Sequence, residues 1–227
     1  MRDPRWISKV LLMGLIYLIP IVGQIVLLGW TLAALDNLRA GRYELPEAGF
    51  SYIGRGFSLW VVELVYGLVL ALVFLVVLLV GGGLTAAGNS SGGSPALSAL
   101  GGLIVGVGYL AALAIAVCLA LLRPVIILRT DLGGIGGGLN VAEVLGDARR
   151  LMGPTLVAGL LTYVALLIAG AGIILCGIGI ILTVAYGYSV VAGVVRYYEQ
   201  QLSGQGAAPQ PPAGPNLPNY PTYPTSN

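Results

Sequence analysis

Residues 59–79, LWVVELVYGLVLALVFLVVLL, carry one charge, that of Glu63. Wound as a helix with about 1.5 Å of rise per residue, the run is about 30 Å long, which matches the hydrocarbon core of a bilayer. It is apolar on every face, whereas a surface helix of a soluble domain needs only an apolar stripe. Lipid offers the backbone no hydrogen-bonding partner, so the segment must satisfy its own polar groups as a helix.

Three more runs read in the same way: Leu97 to Leu122, Pro154 to Gly170 and Ile173 to Val195, each free of charge. Across all 227 residues, 57% are hydrophobic and 9% charged, against about a quarter charged in soluble domains. The expected fold class is all-α, a polytopic helical membrane protein with four firm transmembrane helices and a broken N-terminal helical pair, about six membrane segments in all.

That N-terminal run, residues 10–35, holds Pro20 and Gly23 at its middle. It is either one kinked span or two short helices meeting at a turn. Charge favours the second. Arg2, Arg5 and Lys9 precede the run, Arg39, Arg42 and Arg55 follow it, and further arginines stand at 123, 129, 149, 150 and 196, while 81–96 and 170–172 carry no charge. By the positive-inside rule the charged clusters belong in the cytoplasm, which puts both ends of the run on one side. A cleavable signal peptide fits poorly, since the apolar stretch is too long and Thr31 to Ala34 makes a poor cleavage site.

The sequence therefore divides into a helical membrane domain, 1–202, and a tail, 203–227. Within the domain the expected segments are 10–35, 57–80, 97–128, 154–170 and 173–198. Two interfacial helices are expected near 46–57 and 140–152. In the second, Asn140 and Glu143 have the spacing of a capping box, and its basic residues are expected to face lipid phosphate. Residues 81–96, GGGLTAAGNSSGGSP with its flanks, have the composition of a flexible loop. The glycines from 133 to 138 lack the Lys-Ser/Thr end of a phosphate-binding loop and read as a linker. In the tail, prolines at 209, 212, 215, 218, 221 and 224 repeat every third residue, the period of polyproline II, so the expected disordered tail reads as a plain spacer, with docking of a protein partner as the alternative.

Composition also excludes. There is no histidine, the net charge is +2, and no dense basic stripe is present, so zinc chemistry, Ser-His catalysis and nucleic-acid binding are not expected. No cofactor or metal is expected, and the reading is not an enzyme. Cys118 and Cys176 sit in apolar runs and read as packing residues.

One further pattern is specific. Asp3-Pro4, Trp6 and Lys9, then Leu18-Ile19-Pro20 with Gly23, Gly29-Trp30, Arg39-Ala40-Gly41 and Leu45-Pro46-Glu47 resemble an uncharacterised family of prokaryotic membrane proteins, the domain of unknown function four thousand and thirteen. The resemblance is good over 1–70 and diffuse over 98–200. It implies a polytopic fold and brings no activity or catalytic residue with it. Trp6 would then stand in the aromatic belt beside Lys9, and Leu45 to Glu47 would open the first interfacial helix.

Glu63 is the one acid inside an apolar span, and such a group marks a candidate site. Gly67 and Ala71 follow it at four-residue steps, and Gly108, Ala112, Ala116 and Ala120 form a matching stripe that ends beside Arg123. Small-residue stripes let helices approach closely. The expected site is an ion pair between Glu63 and Arg123 with Tyr66 as an added hydrogen-bond partner. Two functions follow: a non-catalytic scaffold or accessory subunit of the cell membrane with both termini cytoplasmic, or a transporter of a small solute or lipid that uses the broken helix and Glu63. A polar cavity around Glu63 and the break favours transport, and tight packing there favours the scaffold.

Overall fold

The computed structural model describes residues 3–172 and 178–204. The expectations for Cys176 and for the tail beyond residue 204 lie outside the described residues. The chain forms α1 (Trp6–Tyr17), α2 (Val22–Arg39), α3 (Ile53–Val77), α4 (Gly83–Gly88), α5 (Pro95–Leu139), α6 (Val141–Arg150), α7 (Met152–Ala171) and α8 (Ile178–Leu202). No strand occurs among the described residues. Four stretches are long and apolar enough to cross a membrane: Phe50–Gly88, Pro95–Leu139, Met152–Ala171 and Gly179–Leu202. The protein is an all-α polytopic membrane protein.

α1 is about 18 Å long by helix rise, too short to cross. It ends in a tight turn where Val22 N–H donates to Pro20 O at 2.7 Å around Ile21 at φ 65° and ψ −61°, the dihedrals of a γ-turn that a β-branched residue enters only with strain. Gly23 stands where the two arms meet, because a Cβ there would strike the carbonyl of Ile16. At the other end Lys9 Nζ donates to Leu45 O at 2.7 Å and pairs with Asp3 at 2.9 Å. Leu45 N–H donates to Asp3 Oδ2 at 3.2 Å. The start of α1 is thus tied to the chain that leaves α2, and the run doubles back on itself.

Residues 44–49 are not helical, so the expected interfacial helix over 46–57 does not form. Their polar backbone groups are already taken: Trp30 Nε1 donates to Pro46 O at 3.1 Å and Tyr52 OH to Glu47 O at 2.8 Å. Helix begins at Phe50 as a 3₁₀ turn and runs directly into α3. The expected flexible loop 81–96 is largely helical too. A π turn over Leu78–Gly82 leads into α4, Thr85 Oγ1 donates back to Gly81 O at 2.8 Å, and the turn proper is confined to 89–94. The glycines at 133–138 fall inside the 45 residues of α5 and break it: Gly134, at φ 62° and ψ −155°, is not helical, and the chain folds back so that Gly138 stands against Thr130 and Val62.

α6 begins as the capping-box spacing requires, with Asn140 Oδ1 accepting from Glu143 N–H at 3.4 Å and Asn140 Nδ2 donating to Glu143 Oε1 at 2.7 Å. Its inner face is Val144 and Ala148, both buried, while Val141 and Leu145 are exposed. Arg129 on α5 holds the acidic flank, meeting Asp147 at 2.6 Å and Glu143 at 2.7 Å.

The packed core lies toward the charged end of the bundle. Leu32, Leu35, Leu59, Val62, Val125 to Leu128, Val144, Val191, Val195 and Tyr198 form one buried cluster. α1, α2 and α8 enclose a second around Val10, Met13, Leu27, Trp30, Val184 and Ala185. Beyond Glu63, α3 presents Leu64, Leu68, Leu72 and Leu75 outward, and the π turn after it presents Leu79. Lipid is as apolar as these side chains, so that surface needs no protein cover.

Candidate functional site

Glu63 sits ten residues beyond Ile53, about 15 Å along α3 by helix rise. Arg123 reaches it from α5, just before Pro124, and Arg123 Nη2 donates to Glu63 Oε1 at 2.6 Å. The same nitrogen donates to the Tyr188 hydroxyl on α8 at 3.1 Å. The guanidinium carbon lies 5.7 Å from the centre of the Tyr188 ring, a cation–π distance. Arg123 Nε is buried with no hydrogen-bond partner among the described residues. Three helices therefore converge on one charge pair within a membrane span.

Tyr66 does not join them. Its hydroxyl donates instead to Gly138 O at 3.0 Å, where α5 has folded back past Gly134. Tyr188 takes the place expected of Tyr66, and a tyrosine on an apolar helix distant in sequence gave no local signal. The small-residue stripes also act differently from the expectation. Only part of them packs: a Cβ on Gly108 would strike Val77, and Ala112 is buried. A Cβ on Gly67 would meet nothing within 4 Å. Near Glu63 the small residues leave space.

That space is a cavity of about 610 Å³ lined by Tyr17 and Gln24 of the hairpin, Trp60, Glu63, Gly67 and Ala71 of α3, Arg123 and Tyr188, with leucines between them. A second cavity of about 270 Å³ touches Glu63 and Arg123 from the Tyr66 side. A third, of about 340 Å³, runs past Ala71 between Phe74, Tyr109, Ala112 and Ala116. Gly67 borders all three.

A separate network closes the charged end. Asp131, whose side chain is 3% exposed, accepts from Arg39 at 2.6 Å and from Arg55 at 2.6 Å. Arg39 also holds Glu199 at 2.9 Å and Asp36 at 3.1 Å, Arg55 pairs with Asp36, and Arg196 pairs with Glu199 at 2.8 Å. Burial pushes the Asp36 carboxyl up, and the guanidinium groups of Arg55 and Arg39 outweigh it and hold it below the usual carboxylate range. The arginines read from sequence as topology signals are thus partners in a neutral clamp across α2, α3, α5 and α8. The i,i+3 pairs Asp36/Arg39 and Arg196/Glu199 were the visible trace of it.

A family model described as protein of unknown function, DUF4013, matches residues 12–178, more than half of the chain. The chain belongs to this family. The DUF4013 match begins after Asp3, Trp6 and Lys9, and it extends well into the region where the motif resemblance was diffuse. It covers the hairpin turn, Glu63 and Arg123 and stops short of Tyr188. Neither the curated proteins nor the solved structures gave a match. For the motif residues inside and beside the DUF4013 region the structure supplies a physical role: Trp30 donates to Pro46 O, and Lys9 donates to Leu45 O and pairs with Glu47 at 3.3 Å.

Proposed function

We propose that this DUF4013 protein binds a small solute or lipid inside the bilayer and belongs with transporters or lipid carriers. One observation carries the reading: the Glu63–Arg123 pair opens on a cavity of about 610 Å³ that also touches the hairpin. Ion pairs that merely fix helix register are enclosed by packing, and charged groups beside a membrane cavity mark substrate or ion paths. The short hairpin ending at Pro20 adds an irregular backbone segment next to that space, as membrane binding sites often do. We place the charged end, with both chain termini, in the cytoplasm of a cell-membrane protein, on the positive-inside rule.

A second reading, a scaffold or accessory subunit, draws on the ion clamp across α2, α3, α5 and α8, since helices tied together at one end resist rocking. Purification of the full chain and of Ala71→Phe in mild detergent separates the two. A small molecule or lipid retained by the full chain and lost from the variant supports the binding reading. Identical small molecules in both, with the same co-purifying proteins, overturn it in favour of the scaffold.

A further inference from the structure

We propose that the ligand is a zwitterionic lipid, with a phosphate and an ammonium in its headgroup seated on Arg123 and Glu63 and an acyl chain lying along α3 past Gly67. This rests on the binding reading above and names the chemical class of its ligand.

Charge selects the headgroup. Arg123 spends a single nitrogen on both Glu63 and Tyr188, and its buried Nε has no partner, so the guanidinium keeps donors in reserve for an anion. Glu63 accepts through Oε1 alone and keeps the other oxygen for a donor. A simple anion would face the carboxylate, and a simple cation the guanidinium. A group carrying both signs satisfies both and brings no net charge into a medium where unpaired charge is costly. Tyr17, Trp60 and Tyr188 border the same space, and aromatic faces favour an ammonium.

Shape selects the chain. Three cavities border Gly67, and the third lies along α3 to Phe74 between apolar walls. Glu63 to Phe74 spans about 16 Å of helix rise, a length suited to much of an acyl chain. A water-soluble zwitterion would leave that groove unfilled. The polar end of the groove and its apolar end thus match the two halves of one amphiphile.

The test measures the thermal midpoint of the purified full chain against rising concentrations of three probes: palmitoyl-lysophosphatidylethanolamine, palmitoyl-lysophosphatidylglycerol and chain-free glycerophosphoethanolamine. The first should stabilise most, Glu63→Gln should weaken it about tenfold, the loss of one charge-assisted contact, and Gly67→Phe should abolish its effect. Ala71→Leu, placed in the same groove, serves if Gly67→Phe does not fold. Equal stabilisation by the phosphatidylglycerol probe, still blocked at Gly67 or Ala71, overturns the zwitterion assignment and leaves the binding site standing. Equal stabilisation by the chain-free probe overturns the lipid assignment alone. If no probe's effect depends on Gly67 or Ala71, the proposal and the binding reading both fall.

Discussion

Arg39 on α2 and Asp131 on α5 are 92 positions apart in sequence and meet at 2.6 Å. The carboxylate is almost fully buried, yet its two oxygens are shared between two arginines from two further helices, Arg39 and Arg55. A buried charge of this kind is costly to strip of its partners, and removing one member of such a set is far worse than never having built it.

Asp131→Asn therefore should lower stability by about 2 kcal/mol, below the full cost of a broken buried pair because Arg39 and Arg55 stay partly solvated and keep Asp36 and Glu199. Fluorescence-detected thermal unfolding in detergent reads the change. Asp131→Asn unfolding at the temperature of the unaltered chain would show that the clamp adds nothing.

Glu63→Gln and Arg123→Leu each strand one charge beside Tyr188, whereas the double substitution removes both. Each single variant should be less stable than the double one, a coupling of about 1 kcal/mol or more in a double-mutant cycle. A double variant no better folded than either single one contradicts the pairing.

How much of this was readable beforehand depended on which interactions are local. The four crossing stretches declared themselves through composition alone, because lipid demands uninterrupted apolar helix wherever it is met. Glu63 and Arg123 were visible for the same reason, as charges with no solvent to justify them. Tyr188 carried no such mark, since an uncharged tyrosine in the middle of an apolar helix is ordinary, and only the tertiary approach of α8 gives it a partner. The first residues of the expected helix over 46–57 look helical because Pro46 suits a first helical turn, and nothing in the sequence tells that its carbonyl belongs to Trp30. Glycine had to be read case by case: at 81–83 it suggested loop, yet the helix continues, at 133–138 it suggested a break and Gly134 supplies one, and at Gly67 it suggested contact where the structure leaves a void.

Gly29 and Gly56 mark where α2 crosses α3. A Cβ on Gly29 would strike the carbonyl of Tyr52, and one on Gly56 the carbonyl of Ile25. The obstacle is backbone on both sides, so no side chain can rotate away. Gly29→Leu or Gly56→Leu should cost about 3 kcal/mol or more through overpacking. Gly54→Leu, on the same turn with open space around it, should change stability little. Size-exclusion profiles of the three variants compare them directly. Equal loss at all three positions would point to helix propensity or insertion in place of the crossing.

With the charged end in the cytoplasm, a cysteine introduced at Ser91, in the charge-free turn, should react with an impermeant maleimide added outside intact cells once Cys118 and Cys176 are replaced by serine. A cysteine at Gly41 should react only after lysis. The reverse pattern would invert the orientation while leaving the fold untouched.

Acid should open the base of the hairpin. Asp3 is 5% exposed, and burial alone would push its carboxyl up. The hydrogen bond from Lys9, the N–H groups of Arg5 and Leu45, and the charge of Lys9 outweigh that and hold it below the ordinary carboxylate value. A carboxylate whose folded pKa is lowered contributes its stabilisation in full above the unfolded value, about pH 4, and loses it as pH falls through the folded one. The full chain should accordingly lose stability between about pH 4 and the lower folded pKa more steeply than Asp3→Asn, which has no such proton to take up. Thermal midpoints of both proteins through that window decide it. Parallel decline would mean that Asp3 carries no linkage, and that the ties from Lys9 to Leu45 and Glu47 hold α1 against residues 44–49 without it.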